Sequence, residues 1–380
     1  MARIGIDARF YGPDGTGIGR YVEKLLENLE LLDQKNEYFV FLRASNFHLY
    51  NPKKSNFIKI KADARWYSVK EQIIMPAVLV RQKLDLVHFP HFNVPLLYSG
   101  KFVVTIHDLT KSNFGSLAAS TKIAPVYLTK QNIYKFTLRQ AVNRAKIVFT
   151  PSQYVKDSLV EDMKVNPEKI VVTTEGADEF YDPQFSPSEG KVKEVFGKYS
   201  IKSPYIVFVG NTYPYKNVRV ILESLAQIHS ELKFVCISPR NTFLDKVTKE
   251  AEELGVRSRL ITPGFVPDEE LKIILNQAQC FVFPSLSEGF GLPGLEAMGV
   301  GCPVIAAEAT SLPEVYGDAA SYFDPKDPQE LALKINSLTK NARNKSNLIA
   351  LGYQQVRKYS WKKMAEQTLK IYNLVLEQNK

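Results

Sequence analysis

Short apolar runs alternate with amphipathic helical stretches along the whole chain, and this constrains its fold more than any other feature. "ARIGIDARF" reads as a strand, with its apolar part over Ile4 to Phe10. "IGRYVEKLLENLELLD" then repeats Tyr21, Leu25, Leu29 and Leu32 at three- and four-residue steps, the period of a helix with one buried face. "EYFVFLRA", "DLVHFP", "KFVVTIHDL", "AKIVFTPS" and "KIVVTTEGA" follow as further strands. Apolar strands separated by helices belong to parallel sheets covered on both faces. Between 180 and 204 Pro, Ser and Gly cluster, and the alternation restarts with "YIVFVGN", "KFVCIS", "RLITPGF", "CFVFPS" and "PVIAA". A chain of 380 residues is long enough for its core to split. The reading is therefore two doubly wound α/β domains, residues 1–185 and 200–355, then a C-terminal segment, 356–380. That segment reads as a helix with Ser360 as N-cap and Trp361, Met364, Leu369 and Tyr372 along one face, suited to packing back on a domain.

Composition narrows the partners. No run approaches the ~18 apolar residues of a spanning helix. The N-terminus reads as a strand rather than a signal peptide. Cys236, Cys280 and Cys302 are widely spaced, which suggests buried thiols in a reducing compartment rather than disulfides or a zinc site. The net charge of +9 is one-sided: residues 1–175 hold 25 Lys or Arg against 16 Asp or Glu, while residues 176–380 hold 24 of each. Lys111, Lys122, Lys130, Lys135, Arg139, Arg144, Lys146 and Lys156 fall in a stretch without an acid, interleaved with Phe114, Tyr127, Tyr134, Phe136, Phe149 and Tyr154. A second basic stretch is "NPKKSNFIKIKADARWY". These are either solvated helix faces or a patch for an anionic membrane surface. No nucleic-acid-binding motif accompanies the charge, so no nucleic-acid partner is expected.

Near the start, "DGTGIGRYVEKLLENL" places Gly15, Gly17 and Gly19 between a strand and a helix. The dinucleotide fingerprint needs G-x-G-x-x-G and an acid at the end of the next strand. Here the spacing is G-x-G-x-G and the next strand ends in Arg43, so a nicotinamide cofactor is not expected. The turn either simply admits the chain to its helix or offers backbone N–H groups to a phosphate.

A richer signal is "CFVFPSLSEGFGLPGLEAMGVGCPVIAA", residues 280–307. A strand, Cys280 to Pro284, runs into a glycine-rich loop and a helix beginning at Leu292–Pro293, where proline suits the first position. Glu288 lies in the loop and Glu296 about one turn inside the helix. A carboxylate there accepts hydrogen bonds from a vicinal diol such as a ribose. Glu288 meets a second polyol, ahead of the amides of Gly289, Phe290, Gly291 and Leu292. Those amides and the helix dipole, roughly +0.5 charge, favour a diphosphate between the two sugars.

This segment resembles the E-x₇-E signature of retaining glycosyltransferases of family 4, which have the GT-B architecture: two Rossmann-like domains facing across a cleft. "GTGIGRYV", "TIHDL", "VGNTYPYKN" and "TPGFVPDEELKIILNQAQCFVFPS" extend the resemblance over nearly the whole chain. It implies that Glu296 binds the nucleotide ribose, and that Glu288 binds the transferred sugar's hydroxyls with the amides of Phe290, Gly291 and Leu292. It implies that Lys216 contacts the diphosphate and that His107 contacts the donor sugar or its phosphate. Phe265 and Val266 would line the nucleobase pocket through their backbone, or serve as core. Asp108 would orient His107 or cap its loop. Gly15 and Gly17 would close on the diphosphate from the first domain. The family often carries an arginine where this chain has Asn211, so one fixed positive charge is missing and either Asn211 gives the donor a weaker hydrogen bond or another cation replaces it.

No D-x-D motif occurs, and no metal ion or other cofactor is expected beyond a GDP- or UDP-linked donor. "GTGIGRYV" with "TIHDL" is similar to envelope mannosyltransferases, which favours GDP-mannose. The reading is a hexosyltransferase acting on a glycan or lipid-linked acceptor, cytoplasmic or peripheral on the inner membrane face. Its rivals are a nucleotide-sugar 2-epimerase on the same architecture and a non-catalytic protein that binds anionic lipid.

Overall fold

The structure is a computed structural model and describes residues 1–110, 124–228, 231–239 and 241–378. The chain forms two compact units, Met1–Glu175 with Ser360–Lys380, and Gly176–Tyr359. Among the described residues no helix is long and apolar enough to cross a membrane.

The first unit runs β1 (Arg3–Asp7), α1 (Thr16–Leu32), β2 (Glu37–Leu42), β3 (Phe57–Lys61), α2 (Val69–Arg81), β4 (Leu86–Phe89), β5 (Phe102–Thr105), α3 (Ala124–Arg144), β6 (Val148–Thr150), α4 (Gln153–Met163) and β7 (Ile170–Val172). Its sheet is parallel throughout, in the order β3-β2-β1-β4-β5-β6-β7, with Ile4 beside Tyr38 on one side and Leu86 on the other. The expected first strand, Ile4 to Phe10, stops at Asp7. The Asp7 carboxylate accepts from Nε and Nη2 of Arg9, each at 2.7 Å, which folds the chain back two residues later.

The second unit runs α5 (Glu189–Tyr199), β8 (Tyr205–Val209), α6 (Val218–Gln227), β9 (Lys233–Ile237), α7 (Thr242–Glu253), β10 (Leu260–Ile261), α8 (Asp268–Gln277), β11 (Phe281–Phe283), α9 (Leu292–Gly299), β12 (Val304–Ala307), α10 (Leu312–Tyr316), β13 (Ala320–Phe323), α11 (Pro328–Lys340) and α12 (Ala342–Val356). Its sheet is also parallel, in the order β10-β9-β8-β11-β12-β13. The second unit begins earlier than the sequence boundary at 185–200. Phe180 is buried in its core, and the Asp182 amide donates to the Gly299 carbonyl.

The last helix, α13 (Trp361–Glu377), belongs to the first unit and packs on α1. Trp361, Met364, Thr368 and Tyr372 form its buried face, so Thr368 takes the place expected for the half-buried Leu369. The Tyr372 hydroxyl lies 2.5 Å from Nδ1 of His88 on β4. All three cysteines are buried and free, and burial pushes the thiols of Cys236 and Cys302 up to about 12.

Candidate functional site

In the second unit, β11 delivers the chain into a loop that ends at Gly291, whose φ of 100° places it in the left-handed region that glycine tolerates. A Cβ on Gly291 would stand 2.6 Å from the Tyr316 hydroxyl, and one on Gly294 2.3 Å. Tyr316 is fully buried and donates to the Gly291 carbonyl. Both glycines are thus set by how closely the loop approaches α10. Phe290 turns its side chain into the core, edge-on to Tyr359 at 5.3 Å. Only the backbone of this stretch is left over. The amides of Phe290, Gly291 and Leu292 donate to no acceptor among the described residues. They sit at the start of α9, where the helix dipole is positive.

Glu288 lies beside these amides. Its own N–H donates to the Thr310 hydroxyl at 3.0 Å, and its carbonyl accepts from Ser311 at 3.0 Å. Its carboxylate faces Lys216, with Nζ to Oε1 at 2.5 Å and both side chains largely buried. Lys216 closes a short 3₁₀ turn (Pro214–Lys216), and its ammonium stands 5.4 Å from the Tyr215 ring and 5.3 Å from the Phe283 ring. Two residues 72 positions apart therefore form one charged pair. Glu296 is buried in α9, 7% exposed. Its charge and that of Glu288 add to burial in raising the Tyr316 hydroxyl well above its ordinary range.

Asn211 follows Gly210 at the end of β8 and is half-buried, with no side-chain partner among the described residues. Phe265 and Val266 separate: Val266 is in the core, while the Phe265 side chain is 76% exposed. Val266 is therefore core and Phe265 is not, and their backbone is the part that neither role uses.

In the first unit the three glycines of the opening turn have different reasons. A Cβ on Gly15 would stand 1.9 Å from the Phe10 carbonyl oxygen, and one on Gly19 2.2 Å from the Gly12 carbonyl oxygen. Close backbone packing accounts for both. Gly17 is exposed in the first turn of α1, with nothing within 4 Å of its Cβ position. Only Gly17 faces open space.

His107 follows β5. Its Nδ1 lies 3.0 Å from Oε1 of Glu175 and its Nε2 3.0 Å from the Pro90 carbonyl oxygen, with the Tyr21 ring edge-on at 4.7 Å. Both ring nitrogens are thus engaged within the unit. Glu175, just past β7, orients His107, a role the sequence reading did not give it. Asp108 accepts from the Thr110 amide at 2.9 Å and caps the loop.

Of the basic stretch, Lys111, Phe114 and Lys122 lie outside the described residues, as do the side chains of Tyr127 and Lys130. Arg144 donates to the carbonyls of Leu96 and Tyr98, and Lys156 to that of Ile170, so these two serve the backbone. Lys135, Arg139 and Lys146 are exposed. Among the described residues no group of three or more His, Cys, Asp or Glu is placed to hold a metal ion.

Two Rossmann-like units, each built on a parallel sheet, are the elements of the GT-B architecture. The family model "Glycosyltransferase Family 4" matches residues 15–179, and "Glycosyl transferases group 1" matches residues 192–355. The chain belongs to these glycosyltransferases and is similar to bacterial envelope mannosyltransferases. It is 29% identical to the O-antigen chain mannosyltransferase B of Escherichia coli, over 95% of this chain and 96% of that one. It is 25% identical to the O-antigen chain mannosyltransferase RfbU of Salmonella typhimurium, over 79% and 77%. The solved sucrose-phosphate synthase of Thermosynechococcus elongatus shares the fold, with a TM-score of 0.79 at 16% identity over 100% of both chains.

Proposed function

We propose that this chain transfers a hexose, mannose before others, from a nucleoside diphosphate sugar to a glycan or lipid-linked acceptor during envelope polysaccharide or glycolipid synthesis. One observation carries the reading: the undonated amides of Phe290, Gly291 and Leu292 lie beside the Lys216–Glu288 pair, with Glu296 one turn further in. Glu296 holds the ribose diol of the donor. Glu288 holds hydroxyls of the transferred sugar through lone pairs that Lys216 leaves free. The three amides and Lys216 face the diphosphate and stabilise the charge that grows on it as it leaves. The bond from the anomeric carbon to the phosphate oxygen breaks, and the acceptor oxygen bonds that carbon on the same face. The acceptor proton passes to the departing phosphate oxygen. Configuration is retained, and the step runs without a metal ion or a further cofactor. His107, held by Glu175, contacts the donor sugar or its phosphate. Gly17 leaves room for a phosphoryl group at the start of α1.

The test is a titration with GDP, UDP, ADP and NAD, followed by turnover of the matching nucleotide sugar in EDTA. GDP or UDP at a hundred times its dissociation constant should stabilise the fold by about 2.7 kcal/mol. Binding of NAD alone, or of nothing, overturns the reading. Conversion of donor without any acceptor would favour the epimerase. An inverted product anomer would overturn retention.

The first unit rests on an anionic bilayer in this reading. Its net charge supports that, and so does α2, where Val69, Ile73 and Val80 are 82%, 66% and 64% exposed beside the exposed Lys70 and Arg81. Each basic residue near such a surface contributes about 1 kcal/mol. The chain should sediment with phosphatidylglycerol vesicles and not with phosphatidylcholine vesicles; equal partition would remove the membrane from the proposal.

A further inference from the structure

Arg43 and Trp66 stand at the C-terminal edge of the first sheet, just past β2 and β3, the edge where open parallel sheets hold ligands. The guanidinium carbon of Arg43 lies 4.6 Å from the centre of the Trp66 ring. Trp66 in turn stacks on Phe10, with ring centres 4.3 Å apart and planes 17° apart. Phe10 belongs to the turn whose glycines lead into α1. Asn46 ties the two turns together. Its Oδ1 accepts from the Arg43 amide at 2.8 Å, and its Nδ2 donates to the carbonyls of Ala8 and Tyr11 at 3.1 and 2.9 Å. The base of Arg43 is thus fixed to the opening turn, and its head lies over an indole.

The head has no protein acceptor. Among the described residues the Arg43 side chain makes no hydrogen bond or ion pair, and its Nε is buried without a partner. Arg9 of the same unit shows the ordinary outcome, with its guanidinium shared between Asp7 and Glu71. Arg65, next to Trp66, is exposed and also unpaired. Asp63, the carboxylate between these arginines in sequence, accepts from the Ala44 amide at 3.2 Å and forms an ion pair with neither. A buried donor left open is rare enough to need a reason. A guanidinium stacked on an aromatic ring has given up most of its rotamer freedom while keeping a planar fork of N–H groups. That fork matches two oxygens of a phosphate or carboxylate. A neutral hydroxyl uses one of its donors and none of its charge.

We propose that Arg43, set by Trp66 and flanked by Arg65, is an oxyanion subsite that reads a phosphate ester or a carboxylate on the acceptor. The inference rests on the glycosyl-transfer reading, in which Lys216 and the amides of the second unit already serve the donor phosphates.

The test uses the full chain with its donor site filled by excess GDP or UDP, whichever binds. Mannose 1-phosphate, methyl glucuronoside and methyl mannoside are then titrated as acceptor fragments. At least one anionic probe should bind about tenfold or more tighter than the neutral one, by an amount that shrinks as salt is raised. Which one does so separates phosphate from carboxylate. Arg43→Ala should erase the preference, and Arg43→Lys should keep only part of it, because an ammonium has the charge without the fork. Arg43→Gln serves if the alanine variant does not fold. Equal binding of all probes, no binding of any, or a preference that survives both neutral variants overturns the proposal. Weaker GDP or UDP binding in Arg43→Ala would move the residue to the donor and overturn it as well. Failure of the unaltered chain to bind any nucleotide would instead overturn the glycosyl-transfer reading, and this subsite with it.

Discussion

The turn after β1 and the turn after β11 share one layout, strand then glycines then helix, yet what surrounds their glycines differs. In both, most glycines are demanded by close packing: Gly15 and Gly19 against backbone carbonyls, Gly291 and Gly294 against the Tyr316 hydroxyl. The difference lies in the polar groups left over. At the first sheet's edge Arg9 meets Asp7 and Glu71, and His107 meets Glu175 and Pro90. Nearly every group named there has a protein partner, Arg43 and Arg65 excepted. At the second, three amides have none among the described residues, and two carboxylates and a lysine gather beside them. Glycine spacing reports how close two stretches of chain must come. Unspent donors report what else can bind.

The comparison breaks most visibly at Lys216. If the second turn is the donor site, Lys216→Ala should lower kcat by about 100- to 1,000-fold, the scale of one lost donor to a developing oxyanion. Nucleotide affinity should fall much less. A steady-state assay across donor concentrations separates the two. Weaker nucleotide binding with kcat unchanged would make Lys216 a binding residue only, and no change in either would reduce its pairing with Glu288 to structure.

The first turn is sharpened by setting two of its glycines against each other. Gly15→Ala forces a Cβ onto the Phe10 carbonyl and should cost about 1–3 kcal/mol of stability, the range for overpacking. A Cβ at position 17 meets nothing within 4 Å, so in Gly17→Val denaturant melts should move by less than about 1 kcal/mol. Turnover should nevertheless be lost while nucleotide affinity stays nearly intact. Full activity in Gly17→Val would leave this turn with a packing role alone.

Much of this was legible in the sequence. The alternation of strands and helices, the loop-to-helix start at Leu292, and the two glutamates are all local, and local patterns carry them. Pairings across the sheet are not local. Glu175 reaches His107 only because β5, β6 and β7 lie side by side, and Lys216 meets Glu288 only because β8 and β11 are neighbours. No spacing rule spans 68 or 72 residues. Nor could spacing separate Gly17 from Gly15, since both stand two residues from a glycine and only the fold back of Asp7 and Arg9 brings Phe10 onto one of them. Glu175 did leave a trace, a carboxylate just past the end of an apolar strand, "KIVVTTEGA".

The smallest expected effect tests how self-contained the first unit is. His88 is fully buried, with Nδ1 on the Tyr372 hydroxyl and Nε2 2.8 Å from the Thr105 hydroxyl, which also contacts Tyr21 at 3.1 Å. Burial, with a smaller push from His107, lowers His88 to about 3. An unfolded histidine titrates near 6.5. The unfolded chain therefore binds a proton between about pH 6.5 and 3 that the folded chain refuses. Stability from neutral His88 is complete above about pH 6.5 and is lost as pH falls toward 3, by at most about 1.4 kcal/mol per unit. Tyr372→Phe removes only the hydroxyl and leaves Nδ1 buried without its partner, which should cost about 1–3 kcal/mol at neutral pH. Because α13 would then lose one of its polar ties to the rest of the unit, amide exchange should rise first in residues 361–377. His88→Gln should flatten the acid limb of the stability curve. An unchanged acid limb in that variant would mean that the pH dependence arises elsewhere, and that the link between α13 and β4 is packing rather than a hydrogen-bonded latch.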